Sequence, residues 1–183
     1  MHRKFLTLSN LLSISRVLFV LPSAYLIFTD PQLYRWEIVS LIFLAASTDY
    51  LDGFFARRFN QITEMGKILD PVADKIAIAV LCIALVFSGK ISIWFCTLVI
   101  LRDLAIMIGS LRIMKIKKVT IQSNWIGKWT VTILAIYILS TIIIIDDRLW
   151  LKTGLQVISI VMVFVSFISY LRRYLEEVRS VQE

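Results

Sequence analysis

The chain has 183 residues, of which 58% are hydrophobic and 18% charged, with a mean hydropathy of +0.81 and a formal net charge of +7. So much apolar surface exceeds what a soluble domain of this length can bury, which makes the chain an integral membrane protein. The single histidine, His2, excludes a Ser-His-Asp triad and a histidine-rich metal site.

The N-terminal "HRK" and the apolar run after it resemble the start of a secretory signal. Arg16 interrupts that run, and "VLPSAYLIF" continues without a small-residue cleavage site, so a retained first membrane helix is expected. Apolar stretches over roughly 11–28, 36–55, 73–87, 91–113, 129–145 and 149–170 predict six spans joined by short connections. The expected architecture is an all-α six-transmembrane-helix bundle, a single domain over 1–183. Cys82 and Cys96 lie in apolar segments without metal-site spacing and read as packing residues.

Charge orients the spans. Arg3 and Lys4, then Arg57, Arg58 and Lys67, then Arg112, Lys115, Lys117, Lys118 and Lys128, and finally Arg172, Arg173 and Arg179 share one set of connections. The alternate connections hold only Arg35, Lys90, Arg148 and Lys152, offset by Asp146 and Asp147. By the positive-inside rule both termini face the cytoplasm, in a cell (inner) membrane. The net charge follows from this bias, with attraction of the 112–118 cluster to anionic headgroups as an addition. No basic surface domain exists for nucleic acid.

The stretch "TDYLDGFFARR" (48–58) therefore lies at the cytoplasmic face. Asp49 and Asp52 are three residues apart, with Gly53 and Ala56 continuing the same helical face. Beyond a short basic link, "GKILDPVADK" puts Gly66, Asp70 and Asp74 on one face if helical. Four carboxylates on two adjacent helices repel one another and are costly near a bilayer unless neutralised. A divalent cation is the simplest neutraliser, being hard and oxygen-seeking. Singly, each acid has a structural alternative. Asp70 before Pro71 could cap a helix, and Asp49 and Asp52 could be solvated at a helix end beside Arg57 and Arg58. Four acids with three small residues on two stripes favour a site.

Asp49-x-x-Asp52-Gly53-x-x-Ala56-Arg57, eight residues, then Gly66-x-x-x-Asp70-x-x-x-Asp74 resembles the signature of the CDP-alcohol phosphatidyltransferase family at every fixed position. Asn10 and Arg16, early in the first span, are also similar to the family. The resemblance implies a membrane enzyme of phospholipid synthesis that uses CDP-diacylglycerol, whose lipid-side phosphorus is attacked by an acceptor hydroxyl as CMP leaves. It implies Asp49, Asp52, Asp70 and Asp74 as ligands of two Mg²⁺ or Mn²⁺ ions, with Asp74 also the general base. Gly53, Ala56 and Gly66 match the cytidine pocket with Asp52 nearby, Arg57 matches the diphosphate contact, and a homodimer is implied. The chemistry suits these residues, since transfer to phosphorus needs charge neutralisation and alignment more than a protein nucleophile.

Within the family, "STDYLDGFFARRFNQIT" and "SNWIGKWT" resemble the members whose acceptor is glycerol 3-phosphate. An anionic acceptor calls for cations, and Arg102, Arg112 and Lys128 are the candidates. Arg102, inside an apolar helix, needs a partner or a wet cavity. Its neighbour Asp103 is expected to point elsewhere on the helix. The chain departs from that subgroup where Asp103 follows Arg102, Ser110 stands for a second arginine, and Leu134 stands for a glutamine. Phosphatidylglycerol, the acceptor of cardiolipin-forming members, is the closest alternative. A small cation transporter fits less well, because the acids cluster around one loop rather than through several spans. Intact acidic positions argue against an inactive scaffold.

Overall fold

Six α-helices and no strand make up the described residues: α1 (Leu8–Thr29), α2 (Arg35–Arg58), α3 (Gly66–Phe87), α4 (Ile93–Lys117), α5 (Trp125–Ile143) and α6 (Leu149–Gln182). The computed structural model describes the backbone over 8–58, 66–117, 125–144 and 149–182, and side chains over 15–48, 72–113, 125–144 and 150–179. Each of the six helices overlaps one of the apolar segments, but α3 begins at Gly66 rather than near 73 and α6 continues to Gln182 rather than ending near 170. They form two compact units, Met1–Ser92 and Ile93–Glu183.

In the first unit α1 packs against both α2 and α3. Its buried stripe is Arg16, Val20, Ser23 and Ile27, alternating steps of four and three residues that keep one face toward the neighbours. Among the described side chains, the facing stripe of α3 includes Ala73, Ala77, Leu81 and Ala84. Alanines let two helix backbones approach closely, which matters where lipid supplies no hydrophobic drive for association. Arg16 meets Asp74 near one end of this seam, and Phe28 meets Phe87 edge-on at a centroid distance of 6.2 Å near the other. Thus α1 and α3 run side by side in the same direction. Pro22 lies inside α1 and removes one backbone donor, a loss tolerated in membrane helices.

Connections in this unit are capped locally. Asp30 Oδ1 accepts the backbone N–H of Gln32 at 2.9 Å and of Leu33 at 3.1 Å, turning the chain from α1 into α2. The bonds from Leu33 and Gln32, with Lys90 adding a smaller attraction, hold the Asp30 carboxyl below the usual carboxylate range. Gly89, at φ 69°, ends α3 in the left-handed conformation, and Lys90 N–H donates back to the Leu85 carbonyl at 2.9 Å.

In the second unit α6 packs against α4 and α5. Ser159, Val163 and Ser166 form its buried stripe, and α5 buries Thr130, Leu134, Tyr137 and Thr141. Thr130 Oγ1 donates to its own Ile126 carbonyl at 2.7 Å and to the Met162 carbonyl of α6 at 3.2 Å. Phe95 and Tyr137 stack edge-on at 4.9 Å. Gly109 admits the Tyr170 ring: a Cβ there would stand 3.1 Å from Tyr170 Oη and 3.2 Å from its Cε1. Gly109→Leu should therefore destabilise the unit by about 1–3 kcal/mol through overpacking, read as a lower melting temperature in detergent. Gly109→Ala asks the ring to give only slightly and should cost less.

Polar groups thus line the seams, while large apolar side chains face outward, among them Phe43, Phe87, Trp94 and Trp150. Trp36, Trp94, Trp125 and Trp150 are exposed in the first turns of their helices, as interfacial anchors are. Among the described residues, Ile93–Ile113, Trp125–Ile143 and Trp150–Arg179 are long and apolar enough to cross a bilayer, and Ser15–Thr29 is a shorter apolar helix. The chain is a membrane protein by this arrangement. Cys82 and Cys96 are buried free thiols, as packing residues should be.

Candidate active site

The carboxylate motif occupies the last turns of α2 and the first turns of α3, joined by the short link 59–65. α2 is continuous through Asp49, Asp52, Gly53, Ala56 and Arg57, so the motif's first half has the helical register its spacing requires. α3 begins at Gly66, so Gly66, Asp70 and Asp74 occupy successive turns. That start also removes one structural alternative: Asp70 and Pro71 are inside the helix, and Asp70 is not its N-cap. The side chains of Asp49, Asp52, Gly53, Ala56, Arg57, Gly66 and Asp70 lie outside the described residues.

Asp74 is described, and its setting is informative. Its Oδ1 forms an ion pair with Arg16 Nη1 of α1; the arginine side chain is 5% exposed and the aspartate 43%. A guanidinium so deeply buried in an apolar helix needs a counter-charge, because desolvation otherwise makes it prohibitive. The exposure is lopsided, with the pair rooted on the arginine side and open on the carboxylate side. Asp74 can therefore meet a ligand while its orientation is held from behind.

The expected donors to a metal are all carboxylate oxygens, a set that suits hard, oxygen-seeking Mg²⁺ or Mn²⁺ and offers nothing soft. Among the described residues no group of three or more metal-ligating side chains occurs, and of the four aspartates only Asp74 has its side chain described. The half-exposed Asp74 carboxylate, on a helix carrying Asp70 one turn earlier, fits such an ion.

The second unit holds the three cations expected near an acceptor. Arg102 is buried, with Nη1 donating to Asp103 Oδ1 at 2.6 Å and Nη2 to Ser166 Oγ of α6. Asp103 thus is the partner of Arg102, contrary to the expectation from helical spacing. A long arginine can bend back along its own helix, and burial removes the water that would otherwise solvate both groups. The Ser166 bond ties α4 to α6. Arg112 and Lys128 are exposed, and Lys128 Nζ sits 5.5 Å from the Trp125 ring centroid, a cation–π arrangement suited to an interface.

Arg16 is the functional candidate that sequence reasoning did not place in the site. The signal was present, since a lone cation interrupts an otherwise apolar run. Its partner could not be read, because Asp74 lies two helices away in the chain.

Fold and motif together define a membrane protein that is all-helical among the described residues, with the carboxylate motif on two consecutive helices, the last turns of α2 and the first turns of α3. Residues 6–171 match the family model described as CDP-alcohol phosphatidyltransferase, which runs across both units, and the chain belongs to that family of membrane transferases. It is similar to the CDP-diacylglycerol–glycerol-3-phosphate 3-phosphatidyltransferase of Aquifex aeolicus, 35% identical over 167 residues that cover 88% of this chain and 92% of the relative. The Yersinia enterocolitica protein of the same description is 38% identical over 130 residues, covering 67% and 69%. A cardiolipin synthase (CMP-forming) of Streptomyces coelicolor is 32% identical over 156 residues, covering 82% and 71%.

Proposed function

We propose that the protein transfers the phosphatidyl group of CDP-diacylglycerol to glycerol 3-phosphate and releases CMP. The observation that carries this reading is the Asp74 carboxylate, half-exposed and held by a buried arginine within the family's motif. The acceptor hydroxyl oxygen bonds to the lipid-side phosphorus, and the bond from that phosphorus to the CMP oxygen breaks, its electron pair leaving with CMP. Asp74 takes the hydroxyl proton. Arg57 is assigned to the diphosphate, and Asp52, Gly53, Ala56 and Gly66 to the cytidine end. Asp49, Asp52, Asp70 and Asp74 would hold two Mg²⁺ or Mn²⁺ ions, which when bound neutralise the diphosphate and the departing CMP.

The similarity to the Aquifex aeolicus relative supports glycerol 3-phosphate as acceptor. Arg112 and Lys128, being exposed, are the cations assigned to that anionic substrate, whereas the double pairing of Arg102 supports a role in holding α4 to α6. The lysine and arginine bias of the connections supports a site facing the cytoplasm from a cell (inner) membrane. The family resemblance supports a homodimer.

Purified protein given CDP-diacylglycerol, Mg²⁺ and a panel of acceptors should release CMP when glycerol 3-phosphate is present and stop when the metal is chelated. Folded protein that releases no CMP with any acceptor or metal would end this reading. The similarity to the Streptomyces coelicolor protein favours one second reading, phosphatidylglycerol as acceptor, and the same panel would reveal it as a cardiolipin product.

A further inference from the structure

Arg16 is a buried cation whose partner belongs to the proposed reaction machinery. It lies on the buried stripe of α1 and reaches Asp74 of α3, beside the buried Ala73 and Ala77. An aspartate has two side-chain torsions and, without a fixed partner, would sample several staggered orientations. A guanidinium anchored in a packed seam and paired through Nη1 with Asp74 Oδ1 restricts that freedom. With 43% of the aspartate side chain still exposed, the restraint does not bury the group it restrains.

We infer that Arg16 is a positioning residue for transfer: its guanidinium holds the Asp74 carboxylate in the orientation from which it accepts the proton of the acceptor hydroxyl. This rests on the phosphatidyl-transfer reading above. It differs from a purely structural staple between α1 and α3, which would act on stability and leave turnover of the folded enzyme unchanged. It also supplies a fixed positive charge beside a motif that carries four carboxylates.

The test uses the full-length protein in detergent, with CDP-diacylglycerol and whichever acceptor of the panel gives the highest wild-type rate. Arg16→Gln should lower kcat by about 10–100-fold, as losses of residues that orient an active group do, while KM for CDP-diacylglycerol stays within about threefold. Arg16→Lys keeps the charge but changes the shape and reach of the cation, and should fall between, about 3–10-fold down in kcat at an essentially wild-type melting temperature. A kcat for folded Arg16→Gln within about twofold of wild type overturns the inference, since orienting residues matter more than that. If Arg16→Gln does not fold, Arg16→Lys decides: a reduced kcat at unchanged melting temperature supports positioning, and an unchanged kcat overturns it. Wild-type protein that releases no CMP overturns the parent reading and this inference together, whereas active wild type with unaffected variants overturns the inference alone.

Discussion

Asp74→Asn is expected to lower CMP release by about 10²–10⁴-fold, the range for loss of a positioned proton acceptor. The amide keeps the size of the side chain but can neither take a proton nor balance a neighbouring cation. The second deficit complicates the first. With Asp74 neutral, buried Arg16 loses the carboxylate it pairs with in α3, so the fold is expected to lose stability as well. Part of the lost activity could then come from unfolding. The double variant Arg16→Met/Asp74→Asn separates the two, because it removes both charges. It should melt close to wild type yet remain inactive. Asp74→Asn retaining more than about a third of wild-type kcat would remove Asp74 from the proton-transfer role, since a general base contributes far more than that.

Asp103→Ala is the second large effect, and it should appear in stability before activity. Arg102 is buried in α4, and Asp103 is the carboxylate it pairs with among the described residues. Losing it leaves a guanidinium that, among the described residues, is held by the Ser166 hydroxyl, at an expected cost of about 3–5 kcal/mol. Unfolding in mixed micelles, followed by circular dichroism, would measure it. Arg102→Met/Asp103→Ala should recover most of the loss, because apolar replacement of a whole buried pair is often neutral. An unchanged unfolding midpoint for Asp103→Ala would mean that the pair contributes nothing to the second unit.

How far the sequence reaches can be judged from these same residues. The six helices were legible because bilayer-length apolar runs and charged connections leave few alternatives. The motif was legible because its acids, glycines and alanine occur consecutively across one turn of the chain, at spacings that a helix converts into a face. Gly66 as the start of α3 was less so: Asp70–Pro71 has the local form of a helix start, yet the helix begins earlier. The spacing rule for neighbours failed at Arg102 and Asp103. It describes solvated side chains on a helix surface, and these two are buried, where a charge takes whatever partner its reach allows.

By itself the sequence determined an all-helical membrane chain, the face on which the aspartates recur, and the family to which that pattern belongs. Each of those depends on local periodicity and composition. Only the tertiary structure decided that Arg16 neutralises Asp74 and that Arg102 ties α4 to α6 through Ser166. Such pairings depend on which helices pack and on how thin their facing side chains are, and a buried cation's partner is set by that packing rather than by its place in the chain.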